Sequence, residues 1–334
     1  MRRRFSVTSA ALLIAVLVLA GCGAPAVTPT RTAKPSPPAT ISARATIAPV
    51  ATHVGIADAT ATRVATTKRP LLDHIYLIVM ENKESTSIIG SSDAPYINSL
   101  IQQYGVARDY TGVAHPSEPN YLALWAGSTF RVTDDGSHNL TGETLADQID
   151  AANMTWRVYE ENYPAGETCY TDSSAHGGPD GSGSYARKHN PAISFTNLTG
   201  DAARCSQHIT DFSHFDAAAA DFSFIVPNLC HDMHDCPVKQ GDDWLQQWLP
   251  QQILNTATWK NSNSAIFITW DEGSNDNGGG GTVPLIVISH KTPAGFVSTQ
   301  PYNHYSLLRT IENVWGFYCL RDACQAPDLG EFFP

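Results

Sequence analysis

Hydrophobic residues fall in short solid runs along this chain, and three of the runs stop abruptly in polar clusters. Residues 74–80 (HIYLIVM) lead into Glu81 and Asn82, residues 221–226 (DFSFIV) into a segment holding Asn228, His231, Asp232, His234 and Asp235, and residues 265–270 (AIFITW) into Asp271 and Glu272. Short runs rich in β-branched and aromatic residues read as strands buried on both faces. Open parallel sheets place their sites just past the carboxyl ends of such strands. A polar loop after any one strand is ordinary, but three acidic strand ends together imply one shared site. Residues 283–289 (VPLIVIS) predict a further strand. The segments opening at Asn120 and at Asn303 predict helices, and the glycine-rich stretch 273–281 predicts an irregular loop. The expected fold class is α/β, a single domain with a central, mostly parallel sheet flanked by helices.

The amino-terminal region is patterned differently. Arginines at positions 2–4 precede an apolar stretch at 10–20 that is short for a membrane span, and Gly21 and Cys22 close it. Residues 1–21 therefore read as an export signal. The sequence up to Cys22 resembles a bacterial lipobox, which makes Cys22 the expected lipidated terminus of an exported lipoprotein, anchored to the membrane at the cell surface or in the periplasm. An ordinary signal peptide with an incidental cysteine is the competing reading. Residues 22–70 are dominated by Ala, Thr, Pro and Val without a sustained period. Such a stretch buries too little apolar surface to offset its ordering entropy and is expected to be a disordered tether. Residues 71–334 remain as one domain, expected to be monomeric.

Charge narrows the partners. From residue 71 onward 12 Lys and Arg face 31 Asp and Glu, a formal balance of −19. That balance argues against nucleic acid, which needs a basic face. An anionic substrate would need a bound cation to offset the site's own carboxylates. Beyond Cys22 lie Cys169, Cys205, Cys230, Cys236, Cys319 and Cys324. An even set in an exported chain reads first as disulfides, and neighbour pairing gives 230 with 236, 319 with 324 and 169 with 205, although sequence cannot fix the connectivity. Zinc ligation by Cys230 and Cys236 is the minority reading.

Candidate chemistry follows the strand ends. Glu81 and Asn82, and likewise Asp271 and Glu272, offer oxygen ligands to a hard or borderline cation. Ser117 lies between two prolines just before an apolar helix, where the positive end of the helix dipole receives anions; a plain capping role is the alternative. No Gly-x-Ser-x-Gly elbow surrounds any serine, so an α/β-hydrolase triad lacks its signature. Lys188 and His189 could offer positive charge to an oxyanion. His231, Asp232, His234 and Asp235 form a cluster able to ligate metal or move protons, without the His-Glu-x-x-His pattern of zinc proteases. His304, before the last helix, could face the same pocket.

Taken in order, Met80-Glu81-Asn82, the run from His115 through Ser117 and Asn120 to Tyr121, Lys188-His189-Asn190-Pro191, the run from Val226 to Asp235, Asp271-Glu272 and Asn303-His304-Tyr305 cover essentially all of 71–334. The chain resembles the bacterial phosphoesterase family of acid phosphatases and phospholipases C, within the alkaline-phosphatase superfamily. The resemblance implies an alkaline-phosphatase-like domain and a divalent metal ion, its identity open, held by Glu81, Asn82, Asp271, Glu272 and the Ser117 oxygen. It further implies attack by Ser117 to form a phosphoserine. Asn120, His189, His231 and His304 are implied to bind phosphoryl oxygens or protonate the leaving group, with Asp232 and His234 orienting them or holding a second ion.

The chain stops soon after the His304 helix, where family phospholipases C commonly continue, which favours hydrolysis of phosphate monoesters on small molecules or lipids. A phospholipase C-type phosphodiesterase is the second reading. A non-catalytic binding lipoprotein on a stalk is a distant third, since it leaves the ordered polar clusters unexplained.

Overall fold

The computed structural model describes residues 71–164, 166, 169–172 and 183–334. The expected signal segment, Cys22 and the tether lie outside the described residues, as do positions 173–182 of the Gly- and Ser-rich loop. Among the described residues no helix is long and apolar enough to cross a membrane.

The apolar runs form the strands expected of them. In chain order the strands are β1 (Ile75–Met80), β2 (Gly105–Ala107), β3 (Tyr110–Thr111), β4 (Trp156–Glu160), β5 (Ile209–Asp211), β6 (Phe222–Val226), β7 (Ala265–Trp270), β8 (Leu285–Ser289), β9 (Phe296–Ser298) and β10 (Tyr302–Asn303). Eight of them make one sheet in the order β5-β4-β6-β1-β7-β8-β2-β9, and β10 pairs with β3 beside it. β5, β4, β6, β1 and β7 run parallel in succession, and β8 runs against β7 and against β2. Every residue of β1, β6 and β7 is buried, which is why these strands carry no polar alternation. Because β1, β6 and β7 are adjacent and parallel, their carboxyl ends meet at one edge, and the three polar clusters meet with them.

The helix Ser117–Ala126 (SEPNYLALWA) is buried along its whole length. Trp125 sets its ring edge-on to Trp156 at 5.5 Å and to Phe224 at 5.7 Å, locking the helix onto β4 and β6. Gly127 ends it at φ +68, and a Cβ there would meet the Leu320 carbonyl at 2.3 Å, so only glycine fits. That fixation matters because the helix begins at Ser117. The His304–Trp315 helix packs against it.

All six cysteines of the domain are bonded, as Cys169–Cys205, Cys230–Cys236 and Cys319–Cys324. The Cys230–Cys236 bond closes the turn that carries His231 to Asp235, and it removes both sulfurs as zinc ligands.

One buried acid gives the fold a pH signature. Glu312 accepts the Leu320 amide at 2.7 Å, and Arg309 stands 3.8 Å from its other oxygen. Burial, only partly offset by these contacts, pushes its carboxyl from 4.5 up to about 7. The folded chain therefore holds this proton more tightly than the unfolded chain. Its contribution is fully present below about pH 4.5 and is lost as pH rises towards 7. Glu312→Gln keeps an amide acceptor and removes the ionisation. Urea unfolding should show the variant more stable than the parent at pH 8, by up to about 3 kcal/mol, and little different near pH 4.

Candidate active site

The carboxyl edge is stitched together by its own backbone. The Glu81 amide donates to the Asp232 carbonyl at 2.8 Å, and the Asp271 amide donates to the Met80 carbonyl at 3.0 Å. The Asn82 amide donates to Asp271 Oδ1 at 3.1 Å. Asn82 adopts φ +46 and Met233 φ +82, left-handed conformations held where the strand ends must turn inward.

Ser117 stands inside this edge. It is fully buried, and its hydroxyl donates to Glu81 Oε2 at 3.2 Å and lies 3.4 Å from Glu272 Oε1. Lys188 Nζ reaches the same Oγ at 3.3 Å. The Tyr121 hydroxyl, one helical turn along, donates to Glu81 Oε1 at 2.5 Å. His189 stacks on Tyr121 at 5.0 Å, with Nε2 3.2 Å from Glu81 Oε1 and Nδ1 3.6 Å from Asp232 Oδ2. Asp232 Oδ1 accepts the His234 amide at 2.7 Å. His231 turns Nδ1 onto the Glu161 carboxylate at 2.8 Å and stacks on Trp244, which fixes the ring.

The loop before Ser117 is held from outside. Its Gly112 amide donates to the Gly281 carbonyl at 3.0 Å, and a Cβ on Gly280 would come within 2.6 Å of the Val113 amide. The glycine run after Glu272 thus exists to let two backbones touch. Glu84 clamps it by accepting the Ser274 and Asn275 amides at 2.5 and 2.9 Å. His115 bridges Glu272 and the Asn275 carbonyl and joins Ser117 through a cis His115–Pro116 bond.

Two expected phosphate-binding residues have different surroundings in the structure. Asn120 spends its amide on the preceding loop, accepting from the Val113 and Ala114 amides and donating to the Ala114 and Pro116 carbonyls. His304 is buried with Nδ1 2.9 Å from the Tyr110 hydroxyl and Nε2 2.5 Å from the Asp271 carbonyl, and burial lowers its pKa to about 4. The polar atoms of both side chains are thus engaged within the protein. Tyr121, Asp135 and Glu161 were not assigned roles from the sequence. Tyr121 sat inside a helix pattern, Asp135 inside an Asp-Asp-Gly turn signal, and Glu161 one residue past a strand.

Electrostatically the edge is overloaded. Glu81, Asp232, Asp271 and Glu272 are all buried. Burial raises Asp271 and Asp232 well above the ordinary carboxylate range, and the Glu81 charge adds to it in both. Burial also works against Glu81, yet the charge and hydrogen bond of His189, the Tyr121 hydroxyl and the Lys188 ammonium outweigh it and hold its pKa low. Buried polar atoms of Asn82 (Oδ1), Asp271 (Oδ2) and Asp232 (Oδ2) have no hydrogen-bond partner. Among the described residues no group of three or more His, Cys, Asp or Glu side chains stands ready as a metal site. The unsatisfied hard oxygens nevertheless fit a divalent cation, because unpaired buried carboxylates are costly and carboxylate, amide and hydroxyl oxygens suit such ions.

The family model described as the Phosphoesterase family matches residues 79–318. A phosphatidylinositol-3-phosphatase of Mycobacterium tuberculosis is 31% identical over 280 residues, 81% of this chain and 86% of that protein. An acid phosphatase of Aspergillus fumigatus is 28% identical over 65% of this chain, which spans 49% of that relative. Among solved structures, a phosphonate monoester hydrolase of Silicibacter pomeroyi shares the fold with a TM-score of 0.51 at 11% identity, covering 78% of this chain and 76% of that one. A protein in the alkaline phosphatase superfamily from Vibrio parahaemolyticus does so equally, with a TM-score of 0.51 at 11% identity over 77% of this chain and 69% of its own.

The crowding of carboxylates sets a stability test. Raised acids such as Asp271 contribute stability that is fully present below their unfolded value of 3.8 and lost as pH rises. In chelator-treated protein, Asp271→Asn should therefore melt several degrees higher than the parent at pH 8 and show little gain near pH 4. Equal or lower melting at pH 8 would show that the edge carries no net repulsion.

Proposed function

The chain belongs to the phosphoesterase family and is a hydrolase of ester bonds, and we propose that it removes phosphate from monoesters through a phosphoserine formed on Ser117. The observation that carries this reading is the Ser117 hydroxyl, which begins a fixed helix and stands 3.2 and 3.4 Å from two buried carboxylates. A hydroxyl there has an acceptor for its proton and a helix amino terminus for the anion it attacks. Glu81, Asn82, Asp271 and Glu272, with Ser117 Oγ, would hold a divalent cation, which when bound supplies Lewis-acid stabilisation and lowers the proton affinity of a coordinated hydroxyl.

In the first step Ser117 Oγ bonds to phosphorus as the ester P–O bond breaks, and the hydroxyl proton passes to Glu272. The departing alcohol oxygen takes a proton from His231 Nε2, whose ring Glu161 holds in orientation. His189, fixed between Tyr121, Glu81 and Asp232, holds the Glu81 carboxylate against the Ser117 hydroxyl, and Asp232 positions the His234 backbone beside it. In the second step a water oxygen bonds to phosphorus as the Ser117 Oγ–P bond breaks, one water proton returns to His231 Nε2, the serine oxygen recovers its proton from the carboxylate that took it, and inorganic phosphate leaves. Asn120 and His304 keep the loop and Asp271 in place.

The substrate class is a phosphorylated small molecule or lipid headgroup. The phosphatidylinositol-3-phosphatase relative supports a monoester, and the chain covers most of that protein. Lipidation at Cys22 would hold the enzyme at a membrane, with the 22–70 segment as its tether.

Ser117→Ala should lower p-nitrophenyl phosphate turnover by about 10³-fold or more while leaving the fold intact by circular dichroism. Full activity in a clean preparation of this variant would remove Ser117 as nucleophile. Dialysis against EDTA should abolish turnover in the parent, and one of Mn²⁺, Zn²⁺, Ca²⁺ or Mg²⁺ should restore it. Undiminished turnover after exhaustive chelation, with no metal found by elemental analysis, would exclude the cation from the reaction.

A further inference from the structure

Among the described residues, Lys188 carries the one lysine or arginine cation within hydrogen-bond distance of the Ser117 hydroxyl, and the fold spends several contacts on holding it there. Its Nζ lies 3.3 Å from Ser117 Oγ and 3.0 Å from Asp135 Oδ2. The second Asp135 oxygen accepts the Glu118 amide at 3.0 Å, so one carboxylate ties the ammonium to the start of the helix that carries Ser117. The neighbouring Arg187 is not available for this task. Its guanidinium pairs with buried Glu118 at 3.0 Å and bonds the Gly136 carbonyl and Ser194 hydroxyl. Those bonds anchor the backbone on both sides of the pair, because Gly136 follows Asp135 and Arg187 precedes Lys188.

The two sides of Ser117 differ. Glu81 is wholly buried, whereas the Lys188 and Asp135 side chains are 21% and 30% exposed. The ammonium therefore approaches the hydroxyl from its less buried side, and the carboxylates back it from within. A phosphate monoester near neutral pH carries between about 1.5 and 2 negative charges, since its second pKa is about 6. A diester carries a single charge and presents an ester group where the monoester presents a charged oxygen.

Resting on the reading of Ser117 as nucleophile, we propose that Lys188 is a further catalytic residue that binds the additional anionic oxygen of a monoester, and that it thereby selects monoesters over diesters. Asp135 is its positioning residue. The ammonium transfers no proton in this role. It is a fixed charge facing the transferred phosphoryl group while the Ser117 Oγ–P bond forms and the ester P–O bond breaks, the kind of preorganised contact whose loss typically costs about 10²- to 10³-fold.

The test compares p-nitrophenyl phosphate with bis(p-nitrophenyl) phosphate on the purified metal-loaded protein, with Ser117→Ala alongside. Lys188→Met should lose about 10²-fold in kcat/KM on the monoester and under about 10-fold on the diester, with a melting temperature close to the parent's. Lys188→Arg should recover part of the monoester loss. Asp135→Asn keeps the acceptor for the Glu118 amide and should shift the monoester-to-diester ratio the same way by less. If the diesterase signal is too low to read, the inhibition constant of inorganic phosphate replaces it, and Lys188→Met should weaken it about 10-fold or more. An inactive Ser117→Ala beside a Lys188→Met that keeps the parental ratio and phosphate inhibition would overturn the Lys188 proposal alone. An active Ser117→Ala would overturn the nucleophile reading on which it rests. Equal losses on both substrates in Lys188→Met, unrelieved by Arg, would reduce Lys188 to a structural contact.

Discussion

The structure turns on the burial of four carboxylates at one edge of a parallel sheet. Glu81, Asp232, Asp271 and Glu272 lie beyond the carboxyl ends of three adjacent strands, and burial with mutual repulsion drives Asp232 and Asp271 well above their ordinary range. Isolated buried charge is expensive, so a fold that gathers this much of it must offset it with something. Tyr121, His189 and Lys188 offset the part centred on Glu81. The unpartnered oxygens of Asn82, Asp232 and Asp271 mark the part they leave, and a divalent cation is the partner their chemistry suits. Stability is given up at this edge for reactivity.

Much of the surrounding structure keeps Ser117 registered against that edge. The Ser117–Ala126 helix is buried on all sides, with its end fixed at Gly127. The glycine run after Glu272 lies in contact with the loop before Ser117, Asn120 ties that loop internally, and His304 holds the Asp271 carbonyl. The buried Glu118–Arg187 pair and the partly exposed Asp135–Lys188 pair tie the start of that helix and its neighbouring loop to residues 187 and 188. A serine hydroxyl between acid and ammonium is productive only if distances hold to a few tenths of an ångström, and this bracing is the means.

The strand ends were legible from the sequence because burial on both faces leaves an unbroken apolar run, and because a parallel sheet directs such runs to a common edge. The same logic placed Ser117 before a helix, and neighbour pairing of the even cysteine set, which left the connectivity open, matches the bonds in the structure. What stayed hidden depends on side-chain direction. Asn120 and His304 sit at the expected positions in the chain, but only packing decides that Asn120 turns back onto its own loop and that both His304 nitrogens are taken. Asp135 and Glu161 lie in ordinary turns, and nothing local distinguishes them from solvated acids. The glycines after Glu272 read as an irregular loop, whereas Gly278, Gly279 and Gly280 make their close contacts with residues 111–114, more than 150 positions earlier in the chain. Long-range contact of that kind leaves no mark on local pattern.

The most direct test of this account is anomalous diffraction from crystals of the 71–334 region equilibrated with Mn²⁺. The account predicts a strong peak enclosed by the side chains of Glu81, Asn82, Asp271 and Glu272 and by Ser117 Oγ, lost in crystals of Asp271→Asn. No peak at that edge, with the four carboxylates packed against one another and Mn²⁺ bound elsewhere or not at all, would contradict it.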